Sequence, residues 1–226
     1  MEKQTLLRVE GLSIAFGALP VVEEVSLALD KGQTLALVGE SGSGKTLTGR
    51  ALMGLLPKGA RITGGNARFA TAERDAVDLC RSDERTLRPL RGGRIGMIFQ
   101  EPMSAFSPLH TIGAQVAEAV ALHGGLSGDA LREHCLKVFA QVGFPDPARA
   151  WRAYPFELSG GLRQRAMIAM AIACGPDLVI ADEPTTALDV TTQAVVLDLL
   201  ERLQRETGMA MILITHDLGV VAEVAD

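Results

Sequence analysis

The sequence predicts an α/β fold, an open and mostly parallel sheet with a helical subdomain inserted into it. Three observations carry this. The apolar run at residues 34–38 leads through a Gly-rich loop, Gly39-Glu40-Ser41-Gly42-Ser43-Gly44-Lys45-Thr46, into a helical run. Four short apolar runs end in polar residues, at Gly39, at Gln100, at Asp182-Glu183 and at His216. Buried parallel strands read as such continuous apolar runs. Residues 101–175 show helical periodicity without an evident strand.

Taken in order, residues 6–16 alternate enough for a strand, and 21–29 form a second, with Asp30-Lys31-Gly32 as the turn after it. The strand at 34–38, the loop and a helix over 46–56 follow, and Pro57-Lys58-Gly59 ends that helix. Residues 62–69 read as a strand after a Gly-Gly turn. Residues 70–93 are polar and poorly periodic, and Arg81, Arg85, Arg88, Arg91 and Arg94 are spread there among acids, which is the pattern of a solvated face rather than an anion site. Residues 94–99 form a short strand broken by Glu101-Pro102. Helices are expected over 111–122 and, from near Ser127, to Val142, where Gly143 stops the helix. Trp151 and Tyr154 fall in a connector. Ser159 is a natural cap for a helix over 162–174. A strand at 178–181, a helix over 191–207, a strand at 209–214 and a helix from near Leu218 complete the chain.

The bulk numbers limit the function. With 226 residues the chain can bury a sizeable core. A net charge of −5 is not the basic footprint of a nucleic-acid binder. No apolar run approaches the roughly 20 residues that span a bilayer, and Met1-Glu2-Lys3-Gln4 does not open a signal peptide. A cytoplasmic protein that meets any membrane through a partner is therefore expected. Cys80, Cys135 and Cys174 lack metal-type spacing and read as reduced, mostly buried thiols.

The loop at 39–46 reads G-x-x-x-x-G-K-T, a phosphate-binding loop. Its glycines let successive N–H groups turn inward, and the following helix adds its positive end. Lys45 suits the β- and γ-phosphates of a nucleotide, and Thr46 supplies a hydroxyl to Mg²⁺. The loop by itself fits a kinase, a GTPase, a helicase-like motor or a transport ATPase. In an open parallel sheet, ligands bind outside the carboxyl ends of the strands, so the four polar strand ends can line one crevice. Asp182 fits the acid that holds Mg²⁺, Glu183 the general base, Gln100 a residue that coordinates Mg²⁺ and water, and His216 a contact to the γ-phosphate. Ser159-Gly160-Gly161 makes a second helix terminus suited to an anion. Phe16 has two readings, a strand core residue or a platform for an adenine ring.

With these residues together, the chain resembles the nucleotide-binding ATPase subunit of ABC transporters, in family order over nearly its whole length. The resemblance rests on the loop at 39–46, on Gln100, and on the signature Leu158-Ser159-Gly160-Gly161-Leu162-Arg163-Gln164-Arg165. It rests equally on the Walker B run 178–183, on Ala187-Leu188-Asp189 as D-loop, and on His216 as switch histidine. The stretches 100–111, 154–157, 167–171 and 181–190 resemble the peptide/nickel group of importers, and Phe156 with Ser104-Ala105-Phe106 leans toward its nickel members.

The resemblance implies a P-loop NTPase core with an N-terminal antiparallel β subdomain, the core formed by 1–100 and 176–226 and the helical subdomain by 101–175. It implies ATP and Mg²⁺ as ligands. ATP would be bound by Phe16 and by Gly39 through Leu47, and Mg²⁺ by Thr46, Gln100 and Asp182. The signature, Leu158 to Leu162, and Asp189 would meet the ATP of a second ATPase chain, identical or not. Transmembrane permease subunits would dock on the loop after Gln100 and on residues 111–142, an extracytoplasmic binding protein would deliver the solute, and the whole would sit on the cytoplasmic face of the membrane. Leu162 replaces the Gln common at the end of the signature. Family members usually continue past the position of Asp226, so a C-terminally truncated domain is expected. The other classes are an ABC-type ATPase acting on nucleic acid or ribosomes, against which the acidic balance speaks, and a module that binds without hydrolysing, against which Lys45, Asp182, Glu183 and His216 speak.

Overall fold

The computed structural model describes residues 4–71, 76–186, 188–217 and 219. The chain opens with two long strands, β1 (Thr5–Phe16) and β2 (Leu19–Asp30), paired antiparallel. β3 (Thr34–Val38) leads through the Gly-rich loop into α1 (Lys45–Leu52). β4 (Ala60–Phe69) and the two-residue β5 (Val77–Asp78) complete an antiparallel sheet of order β2-β1-β4-β5. After α2 (Glu84–Leu90) and β6 (Ile95–Ile98) the described chain is helical: α3 (Ile112–Gly124), α4 (Gly128–Gln141), α5 (Pro147–Arg152) and α6 (Gly160–Ile172). It returns to sheet with β7 (Leu178–Asp182), α7 (Val190–Thr207) and β8 (Ala210–Thr215). The second sheet is parallel throughout, in the order β3-β8-β7-β6.

Alternation along the parallel strands divides the interior into two cores. Successive strand side chains point to opposite faces. Leu178 and Ile180 of β7, with Ala210, Ile212 and Ile214 of β8, face α1 and the antiparallel sheet. Val179, Ala181, Met211 and Leu213 face α7 and the helical segment, against Val196, Leu200 and Met167. The parallel sheet is therefore the middle layer; β6, β7 and β8 are buried along their whole length, which explains why they read as unbroken apolar runs, while the edge strand β3 is only partly buried. All four strands run the same way, so their carboxyl ends share one rim.

Three expectations about elements need correction. α1 stops at Leu52 and does not run to Leu56, because Gly54 turns left-handed (φ 63°). The amides of Gly54 and Leu55 then bond back to Ala51 and Arg50, at 3.0 and 2.8 Å, closing the helix before Pro57 is reached. Gly64-Gly65 does not precede a strand but lies inside β4, where the register against β1 shifts between Glu10 and Ser13. Within the polar stretch 70–93 the solvated face includes a short helix: Asp83 caps α2, accepting the Thr86 amide at 2.9 Å. Trp151 lies in α5 rather than a connector; Asp146 caps that helix at the Arg149 amide, 2.9 Å, and Pro147 takes its first turn. The Trp151 ring and carbonyl press on α3 where Gly113 leaves no room for a Cβ.

Three of the five arginines of 81–94 spend their charge locally. Arg81 faces Asp78 at 3.8 Å, Arg91 pairs with Glu84, and Arg94 pairs with Asp177 ahead of β7. Burial pushes the Cys80 and Cys135 thiols up to about 11, so both stay protonated at neutral pH. The expected helix from Leu218 falls largely outside the described residues.

Candidate functional site

The Gly-rich loop occupies the carboxyl end of β3, and its shape follows from its glycines. Gly42 and Gly44 are left-handed, at φ 84° and 89°. Gly44 also lies against β2, where an added Cβ would stand 2.6 Å from Val22 and 2.9 Å from the Val21 carbonyl. No other residue fits there without moving the strand or the loop. The antiparallel sheet thus backs the loop and sets where α1 begins.

The polar strand ends converge on this loop. A cleft of about 830 Å³ is lined by residues 38–47, Gln100, Glu183, Thr186 and His216. Lys45 folds across the loop: Nζ donates to the carbonyls of Gly39 and Glu40, at 2.7 and 2.8 Å, and to Ser43 Oγ at 3.3 Å. Thr46 Oγ1 donates to Asp182 Oδ1 at 2.8 Å, joining the start of α1 to the end of β7.

Glu183 is the centre of the far wall. Its side chain is 14% exposed. Gln100 Nε2 and Thr186 Oγ1 both donate to Oε2, at 3.0 and 2.8 Å, and His216 Nδ1 lies 3.4 Å from Oε1. Its backbone is left-handed at φ 47°, a conformation that costs a non-glycine residue on the order of 1 kcal/mol or more. Its amide is anchored to the Ile214 carbonyl of β8 at 2.9 Å. One carboxylate is thereby held by groups at the ends of β6, β7 and β8 and aimed at a loop built to cradle phosphate.

Asp182 is almost wholly buried, at 1% exposure. Burial raises its pKa above the ordinary carboxylate value; the Thr46 hydroxyl, Arg50 and Lys45 pull it down, and Glu183 pushes it up. Because its pKa is raised by folding, the charged form is the disfavoured one. Stability is fully present below the unfolded-state pKa and falls as pH rises from that value through the raised one. We expect Asp182→Asn to raise the melting temperature of the nucleotide-free chain at neutral pH, relative to wild type, while lowering turnover. Calorimetry alongside an ATPase assay checks both; a lower melting temperature would mean that the folded chain favours the charged carboxylate after all.

The remaining candidate residues lie elsewhere on the chain. Phe16 ends β1, 37% exposed, beside the hairpin turn, and does not line the cleft. Ser159 caps α6, accepting the Leu162 amide at 3.4 Å, and Gly160 faces open space. Ser159, Gly161 and Leu162 border a separate hollow with Thr191, Thr192 and Val195. Within one chain the loop and the signature do not meet. Asp189 caps α7: Oδ1 accepts the Thr192 amide at 3.0 Å and Oδ2 its hydroxyl at 2.7 Å, which lowers its pKa. Ala187 lies outside the described residues.

Two further groups take part without having been assigned a part from the sequence. Thr186 bonds Glu183 and lines the cleft. Gln164, 2% exposed in α6, donates to the Pro184 carbonyl at 2.5 Å. Both stand in motif stretches, and for Gln164 a polar residue on the buried face of a helix is the signal that could have found it.

The family model described as "ABC transporter" matches residues 22–186. The chain is 48% identical over 231 residues to a dipeptide transport ATP-binding protein of Bacillus subtilis, covering 100% of this chain and 67% of that protein. It is 46% identical over 231 residues to a glutathione import ATP-binding protein of Salmonella paratyphi A, covering 100% of this chain and 37% of that one. Among solved structures it is similar to a dimeric ATP-binding cassette in a post-hydrolysis state bound to ADP and Pi, with a TM-score of 0.80 and 27% identity over 95% of this chain and 90% of that one.

Proposed function

The chain belongs to the ABC transporter family as an ATP-binding, ATP-hydrolysing subunit, and on that premise we propose that it energises the import of short peptides. The observation that carries the hydrolytic reading is the carboxylate of Glu183, held by Gln100, Thr186 and His216 opposite the phosphate loop. Its role is that of general base. A water oxygen bonds to the γ-phosphorus, the bond from that phosphorus to the bridging oxygen breaks, ADP leaves with the electron pair, and the water proton passes to Glu183 Oε. Lys45 gives up its loop carbonyls for β- and γ-phosphate oxygens. His216, beside Glu183, is suited to a γ-phosphate oxygen, and Phe16 stands as the candidate adenine platform.

Thr46 and Asp182 suit Mg²⁺. Their oxygens sit 2.8 Å apart at the phosphate end of the cleft, and Asp182 is a buried carboxylate whose side-chain partner there is a neutral hydroxyl. Among the described residues no cluster of three or more His, Cys, Asp or Glu could hold a metal. That suits an ion carried largely by phosphates and water. Such an ion, when bound, offsets the charge developing on the phosphates.

The exposed Ser159-Gly160-Gly161 terminus supports a head-to-tail dimer in which each signature covers the ATP of the other chain, with Asp189 at the shared boundary. The similar solved cassette is itself a dimer. We read residues 1–100 and 176–226 as the core and 101–175 as the helical subdomain. Among the described residues no helix is long and apolar enough to cross a membrane. Transport then requires permease subunits, for which exposed Met103, Leu109 and the stacked Tyr154–Phe156 pair, 5.5 Å between centroids, offer an apolar surface. The assembly would lie on the cytoplasmic face of the membrane, served by an extracytoplasmic binding protein. The names of the two relatives support peptides and glutathione, and nothing in them speaks for nickel. We expect ATPase activity of the assembly, reconstituted with its cognate permeases and binding protein, to rise several-fold with di- or tripeptides. Stimulation by nickel and by no peptide would overturn the peptide reading.

A further inference from the structure

The strained Glu183 turn needs support from behind, and the signature helix supplies it. A left-handed non-glycine residue persists only where its surroundings over-determine it. Two bonds pin this one: the Glu183 amide to Ile214, at 2.9 Å, and the Pro184 carbonyl to Gln164 Nε2, at 2.5 Å. Gln164 is 2% exposed, so no water can replace that donor. Three residues further along the same face of α6, Met167 Sδ accepts the amide of Phe99 at 3.3 Å, directly before Gln100. One helix therefore braces the residues beside both Glu183 and its partner Gln100.

We infer that Gln164 is a positioning residue for hydrolysis, holding the Glu183-Pro184 turn so that the carboxylate faces the phosphate loop. The inference rests on the reading of Glu183 as general base. It assigns α6 two jobs at opposite sides. Its exposed N-terminus meets the ATP of the partner chain, while its buried face sets the geometry of the hydrolytic group in its own chain. The two sites of a dimer would then share a rigid element in each subunit.

Gln164→Met keeps the length and volume of the side chain and removes the donor. In the full assembly it should lower kcat about tenfold, the scale of one buried hydrogen bond, with KM and ATP affinity unchanged. In a Glu183→Gln chain the same change should cost nothing further, because the two act as a unit. Gln164→Leu carries the same expectation where the methionine chain does not fold. A wild-type kcat in Gln164→Met, or a tenfold loss repeated in the Glu183→Gln chain, would overturn the inference while leaving Glu183 in its role. Full turnover in Glu183→Gln alone would overturn the reading of Glu183 and this inference with it.

Discussion

Replacing Glu183 by Gln is expected to lower steady-state ATP turnover by about 10²–10⁴-fold, the usual contribution of a general base, while ATP affinity holds. The amide is the same size as the carboxylate and leaves Lys45, Thr46 and the loop glycines untouched, so binding keeps its contacts. It does alter the far wall. Gln100 and Thr186 both donate to Glu183 Oε2, and an amide can accept through its oxygen alone, with its NH₂ turned toward His216. That ring lies 3.4 Å from Oε1, and its neutral form can accept such a bond. The substitution thus exchanges chemistry without breaking the network, and the closed, ATP-loaded state should accumulate. A radiolabelled ATP binding assay beside single-turnover hydrolysis in the full assembly separates the two effects. Turnover at the wild-type rate would remove Glu183 from the role of base. Weakened binding in step with turnover would mean that the network, and not the proton transfer, had been lost.

Glu183 also shows what a sequence can and cannot convey. The position of the cleft was legible because it lies at strand ends, and strand ends are marked by the change from apolar to polar. Gly39, Gln100, Asp182 and His216 follow such runs, and a wholly parallel sheet brings their ends to one rim without further information. What stayed hidden depends on pairs of distant residues. Gln164 reaches Pro184 across 20 positions and Thr46 reaches Asp182 across 136, and no local pattern announces either bond. The early end of α1 was decided by a backbone angle at Gly54, which an apolar run ending at Leu56 conceals. α5 was missed because a short helix offers too few turns for periodicity to register, although Asp146-Pro147 carried the cap and first-turn chemistry in plain view. The separation of the signature from the phosphate loop has a different origin. In one chain the two helix ends line separate hollows, and only the proposed head-to-tail dimer would join them.

Lys45→Ala should weaken ATP binding by about 100-fold or more, and turnover should vanish with it at ordinary nucleotide concentrations. A hydrogen bond to a charged group is worth about 1.5–3 kcal/mol, and an ammonium that reaches two phosphates makes at least two. The gross loss is then roughly 3–6 kcal/mol, on the order of 10²–10⁴-fold in affinity. The nucleotide-free chain reduces that figure, because Lys45 is not idle there. Its three donors already serve Gly39, Glu40 and Ser43, and binding must trade the two carbonyls for phosphate oxygens. The lower end of the range is therefore the expectation for the alanine chain. The same bonds add a second effect. Without them the carbonyls of Gly39 and Glu40 lose their internal donor, and the loop loses the tie that shapes it before nucleotide arrives. Lys45→Arg should not restore affinity, because a planar guanidinium cannot fold into the space that a slender ammonium stem occupies beside Ser43. Calorimetric titration of both variants with ATP decides the matter. Undiminished affinity in the alanine chain would sink the assignment of Lys45, and full recovery by arginine would show that charge alone, and not the fit of the stem across the loop, determines binding.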